Sequence, residues 1–180
     1  MPKYIALLRG INVSGRNKII MSDLRILFEE LGFSEVTSFI QSGNVIFRSE
    51  ERDTKRLEQQ IEIAIEKIYG FLVPVIVITK SKIEKILEEN PFKPEQKGDD
   101  SKIYYVFLKD VPKKEAKESL EDLKFENERF FMSKDFIYLK CLIGMGDAKL
   151  NNNLFEQKLK VKATTRNHKT TTKLMELLLV

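Results

Sequence analysis

An α+β fold of two βαββαβ units, with an extra helix at the C-terminus, is what the sequence predicts. Three observations carry this. Short β-branched or apolar runs alternate with segments whose apolar residues recur at helical spacing. The order strand–helix–strand–strand–helix–strand occurs twice, over about residues 1–80 and again over about 102–166. A stretch at 90–101 containing Pro91, Pro94, Gly98 and Asp99-Asp100 separates the two. Units of this size are marginal alone, so the two are expected to pack together.

In chain order, Tyr4 to Leu8 is a mostly buried strand ended by Arg9-Gly10. After a polar segment, Ser22 is expected to cap a helix whose Leu24, Leu27, Phe28 and Leu31 share one face, with Gly32 at its C-terminal end. Val36–Gln41 and Asn44–Arg48 read as a hairpin about Ser42-Gly43. Asp53 caps a second helix carrying Leu57, Ile61, Ile65 and Ile68 and stopped by Gly70. Val73–Thr79 is a strand, and Pro74 points to a sheet edge. This order is the split βαβ arrangement of ferredoxin-like domains.

Ser81 and Glu84 form a capping box for a helix that Pro91 ends, so residues 81–101 read as a helix and linker. The second subdomain, 102–180, opens on a strand at Lys102–Lys109. A helix beginning near Pro112 follows. Arg129–Met132 and Phe136–Leu142 form a hairpin, Leu150–Leu159 a helix, Val161–Thr165 a strand and Thr170–Leu179 the last helix.

The chain has 180 residues and a net charge of +4, and is 42% hydrophobic, which fits a globular protein and excludes disordered and fibrous classes. Its longest uncharged apolar run, Phe71–Thr79, is too short to span a bilayer, and no signal-peptide pattern opens the chain. No membrane association is expected. The lone Cys141 excludes an internal disulfide framework and fits a reducing, cytoplasmic setting. One His and one Cys cannot form a His/Cys zinc site, so neither metal nor cofactor is expected.

The basic charge is local. Residues 1–22 hold Lys3, Arg9, Arg16 and Lys18 with no acid. Residues 158–173 hold Lys158, Lys160, Lys162, Arg166, Lys169 and Lys173, again with no acid. The second run surrounds a helix start, where backbone N–H groups and the helix dipole already favour an anion. The acidic residues lie mainly on helices and alternate with Lys, as solvated faces do.

Leu7-Leu8-Arg9-Gly10-Ile11-Asn12-Val13, Asn17-Lys18-Ile19, Leu24, Gly32-Phe33 and Gln41-Ser42-Gly43-Asn44-Val45 together resemble the opening of the bacterial domain-of-unknown-function family 1697. Ala163-Thr164-Thr165-Arg166-Asn167 with Thr170 and Lys173-Leu174 resembles its C-terminal signature. The family usually has a tryptophan where His168 stands and a second glycine where Ser14 stands. The resemblance implies two α+β subdomains, the first ferredoxin-like. It carries no established activity.

The motifs narrow the chemistry. Gly10 and Gly15 have phosphate-loop spacing, but Arg16 and Asn17 stand where Lys and Ser/Thr are needed. RNA-recognition domains of this topology stack bases on aromatics of strands one and three, whereas here those strands offer only Tyr4 and Phe47. Cys141 alternates with Ile137 and Leu139, as a buried inert thiol does, rather than as a nucleophile served by His168. Glu156 either orients Arg166 or lies on a solvated helix face.

About a dozen residues join the first strand to the first helix, far more than the usual two to six. In this topology strands one and three are antiparallel neighbours, so Arg9–Lys18 and Gln41–Asn44 should converge. The expected site is an anion-binding cleft formed by this loop, the turn and the Arg166–Thr170 segment. Arg9 and Arg166 would make forked contacts. Asn12, Gln41, Ser42, Asn44, Asn167 and Thr170 would orient the ligand, with Lys18 and Lys169 at the rim. The competing reading is that Asn12, Gln41 and Asn44 bond the loop backbone and hold the turns. The expected function is binding of a phosphorylated or anionic partner, either a nucleotide-like small molecule or a nucleic-acid backbone. The alternatives are an enzyme acting on a phosphorylated small molecule and a protein-interaction module without a small ligand.

Overall fold

The computed structural model describes residues 1–92 and 99–180, so much of the expected 90–101 linker lies outside the described residues. The elements are β1 (Lys3–Leu8), α1 (Met21–Glu30), β2 (Ser34–Phe39), β3 (Asn44–Arg48), α2 (Thr54–Tyr69), β4 (Val75–Thr79), α3 (Lys80–Glu88), β5 (Ile103–Leu108), α4 (Lys114–Glu121), β6 (Glu128–Met132), β7 (Phe136–Cys141), α5 (Asn152–Leu159), β8 (Ala163–Asn167) and α6 (His168–Leu179). They form two four-stranded antiparallel sheets, ordered β2-β3-β1-β4 and β6-β7-β5-β8. Each has the βαββαβ order the sequence predicts. The chain divides into two units, Met1–Lys85 with Leu174–Val180, and Ile86–Lys173. No helix among the described residues is long and apolar enough to cross a membrane.

In the first unit, alternate residues Tyr4, Ala6 and Leu8 of β1 share a core with Val45 and Phe47 of β3, Leu24 and Phe28 of α1, and Leu57, Ile61 and Ile65 of α2. Phe28, Phe33 and Phe47 meet ring to ring, with centroids 4.6–5.8 Å apart. The Asp53 side chain accepts from the N–H groups of Lys55 and Arg56 at the start of α2, and left-handed Gly70 closes its end. Gly32 adopts φ +85° after α1, donating to Glu29 while Phe33 donates to Phe28, a Schellman closure.

Several boundaries differ from expectation. Ser22 does not cap α1: Ile20 occupies that position without a side-chain bond, and the Ser22 hydroxyl donates to Asp23. Thr79, not Ser81, receives the first-turn N–H of Lys82 in α3. The hairpin turn spans Ile40–Gly43 because Ile40 is left-handed, φ +52°, which ends the ladder at the Phe39–Asn44 pair. The last helix starts at His168, with Asn167 Oδ1 accepting from Thr170 N at 2.8 Å. Arg166 and Asn167 therefore belong to β8.

The second unit repeats the first in detail that the sequence does not display. Leu8 pairs with Val75 across the β1–β4 edge, and Leu108 pairs with Ala163 across β5–β8. Arg9 N donates to Pro74 O, and Lys109 N donates to Lys162 O. Glu62 Oε1 accepts from Val75 N at 2.7 Å, and Glu156 Oε1 accepts from Ala163 N at 3.0 Å. Glu58 Oε1 also accepts from Val77 N. These helix carboxylates satisfy the outward N–H groups of edge strands β4 and β8, which corrects their reading as solvated faces. Pro74 precedes an edge strand, as expected.

Candidate functional site

The connection from β1 to α1 takes twelve residues, 9–20, whereas its counterpart from β5 to α4 takes five, 109–113. The long version is wound tightly. Ser14 and Gly15 both have positive φ, and Arg16 N returns to Val13 O at 3.0 Å, making a small hairpin closed by Asn12 N to Asn17 O. Ser14 thus holds a conformation that glycine adopts most cheaply. This geometry is not a phosphate-loop cradle.

Asn12 brackets the loop. Its Oδ1 accepts from Ile19 N at 2.9 Å, and its Nδ2 donates to Ile19 O and to Gln41 O, each at 2.9 Å. The loop and the β2–β3 turn therefore converge, as strand order requires. Gly43 completes the join, with Leu8 N donating to Gly43 O at 2.8 Å. Asn44 is buried and donates to Phe39 O and Ser42 Oγ. Asn12 and Asn44 thus hold the turns by their side chains, the structural role weighed above.

Between loop, turn and helix lies a cleft of about 680 Å³, lined by Asn12, Gly15, Lys18, Ile19, Ile20, Met21, Ser22, Arg25, Ser38, Ile40 and Gln41. Of the expected residues of this unit, Asn12, Lys18 and Gln41 line it; Arg9, Ser42 and Asn44 do not. Arg25, which donates to Ser38 Oγ at 2.7 Å, escaped sequence reasoning. The lining contains no carboxylate, histidine or cysteine. The first backbone bond of α1 runs from Leu24 N to Ile20 O, and apolar Ile20 cannot cap. The first-turn N–H groups of Met21, Ser22 and Asp23 are thus left without a helical acceptor. Asp23 offsets some of the positive end of α1, but it is not among the lining residues.

Arg166, Asn167, Lys169 and Thr170 lie in the second unit. Arg166 is buried, its guanidinium donating to Thr164 Oγ1 and Thr165 O. Asn167 caps α6, Thr170 is buried beside it, and Lys169 is exposed. Glu156 Oε1 accepts from the Ala163 N–H, and its other oxygen pairs with Lys162.

Cys141 and His168 do not form a pair. Cys141 faces the core of Val106, Leu139 and Phe155, with its thiol 3.8 Å from Met145 Sδ. His168 Nδ1 lies 2.8 Å from the hydroxyl of Tyr105, a residue on the other face of β5 from Val106. Asn90 Nδ2 donates to that same hydroxyl at 3.1 Å. Tyr4 and Phe47 are buried too, so strands one and three present no base-stacking platform.

Burial pushes the Cys141 thiol and the Tyr105 and Tyr138 phenols up to about 12. Each is neutral when folded and ionises first in the unfolded chain. Their contribution is therefore fully present below pH 9 and is lost as pH climbs from there towards about 12. Urea midpoints measured across this range should fall with rising pH. A thiol reagent at pH 8 should label Cys141 only after denaturation. Rapid labelling of the folded protein would contradict this burial.

Fold and cleft define an α+β protein of two split βαβ units, the first carrying a polar, carboxylate-free cleft. The family described as protein of unknown function (DUF1697) matches residues 1–138, and the chain belongs to that family. The closing segment from Ala163 lies beyond the matched residues. The fold is similar to that of SP0830, a conserved bacterial protein from Streptococcus pneumoniae, with a TM-score of 0.77 and 25% identity over 100% of this chain and 99% of that one. No curated protein matches the chain.

Proposed function

We propose that the first unit binds a phosphate-bearing small molecule in the cleft at the start of α1. The observation that carries this is the convergence of an uncapped helix start with Lys18 and Arg25 in a cleft without a carboxylate. Anions are favoured there by the N–H groups, by the dipole and by both cations. Ser22, Ser38 and Gln41 add polar groups to fix orientation. A volume of about 680 Å³ suits a small ligand better than a polymer backbone. The short counterpart loop in the second unit also supports a dedicated role for residues 9–20. Donors and cations without a general base hold an anion rather than move a proton, so the reading is binding, not catalysis.

Titration calorimetry with inorganic pyrophosphate, a sugar phosphate and a short oligonucleotide tests it. Saturable heat is expected with the small phosphates. Arg25→Ala should weaken binding by about 1.5–3 kcal/mol, the range for charge-assisted hydrogen bonds. Lys18→Ala, at an exposed position, should cost about 0–1 kcal/mol. Absence of binding, or unchanged affinity in Arg25→Ala, would contradict the proposal.

A further inference from the structure

Each sheet has two edge strands, and three of the four are blunted. β2 carries a register irregularity between Ser34 and Thr37, with left-handed Glu35 inside it. β4 is served by Glu58 and Glu62, and β8 by Glu156. Among the described residues, β6 shows none of these devices. It pairs with β7 in unbroken register from Glu128–Cys141 to Met132–Ile137, and among the described residues no strand lies beyond it.

The bonds Ser133 N to Phe136 O and Leu142 N to Asn127 O fix the phase of this ladder. Odd-numbered residues from 127 to 133 bond towards β7, so the backbone groups of Glu128, Phe130 and Met132 point outward. Along this edge runs a groove of about 650 Å³, lined in part by Phe92, Leu123, Phe125 and Phe130–Met132. Phe131 is 55% exposed.

We infer that β6 pairs with β6 of a second copy of this chain, antiparallel about a two-fold axis at Phe130. The occupant follows from self-complementarity. With Phe130 opposite its own copy, Glu128 lies opposite Met132 and exposed Arg129 lies opposite exposed Phe131, each twice. All three outward residues then exchange backbone bonds, no like charges face one another, and each Arg129 meets an aromatic ring. The product is one continuous eight-stranded sheet.

Sedimentation velocity of the full chain from micromolar to millimolar concentration, with variants checked by circular dichroism, tests the inference. The parent protein is expected to shift from monomer to dimer. Phe131→Lys sets lysine against Arg129 twice and should abolish the dimer. Adding Arg129→Glu should restore it, since glutamate then faces lysine at both positions. A parent that stays monomeric throughout, including one whose edge serves a foreign strand, overturns the inference. So does a Phe131→Lys protein that dimerises like the parent, or a double variant that fails to recover.

Discussion

Replacing Glu128 with alanine lowers stability by about 3–5 kcal/mol, on the basis of two charge-assisted hydrogen bonds and the donors left behind. The carboxylate is buried at the first residue of β6. Its two oxygens accept from Lys149 N at 2.8 Å and Leu150 N at 2.6 Å. It therefore ties the strand to the segment entering α5, just before the Asn151 cap. Alanine removes both acceptors and strands two N–H groups, one of them on fully buried Leu150. Glu128→Gln keeps an acceptor and should cost less. Denaturant unfolding followed by circular dichroism measures the loss, and hydrogen exchange at the Lys149 and Leu150 amides localises it. A loss below about 1 kcal/mol would mean that water replaces the carboxylate without penalty.

Gly43→Ala is expected to cost about 2–4 kcal/mol, combining a left-handed residue bearing a Cβ with overpacking. Gly43 has φ +77°, and a Cβ there would lie 2.7 Å from Leu8 Cβ and 3.0 Å from two side-chain carbons of Ile11. Leu8 Cβ is anchored to the central strand and cannot swing aside. Relief requires the turn to move off β1, which strains the Asn12–Gln41 bond and reshapes the cleft. Phosphate binding and thermal stability should fall together in this variant. Retention of both would show that the turn relaxes freely.

The elements most legible in the sequence are those with local causes. Asp53 and Gly70 bracket α2 because a cap and a left-handed stop act within a few residues. Strand order then predicts the meeting of Arg9–Lys18 with Gln41–Asn44, and Asn12 bonded to Gln41 O meets that expectation. Ser42-Gly43 misled because the left-handed residue that ends β2 is Ile40, a β-branched side chain that avoids positive φ. Glu58 and Glu62 read as solvated, and Glu156 as solvated or serving Arg166, because helix spacing cannot reveal that an edge strand offers them N–H groups. Arg25 was hidden in the same way: it sits mid-helix, and only the approach of Ser38 on β2 brings it to the cleft. Arg166 reads as a forked contact to a ligand because Thr164 and Thr165, two of its acceptors, are adjacent in sequence but carry no charge to announce the contact.

The central claim is that the start of α1 receives an anion. Backbone amide spectra recorded during titration with inorganic pyrophosphate test it most directly. The predicted result is saturable shifts at Met21, Ser22 and Asp23, with Gln41 and the Arg25 side chain moving at the same midpoint and the β5–β8 sheet unmoved. Unshifted α1 amides at saturation, or shifts confined to Arg166–Thr170, would contradict it.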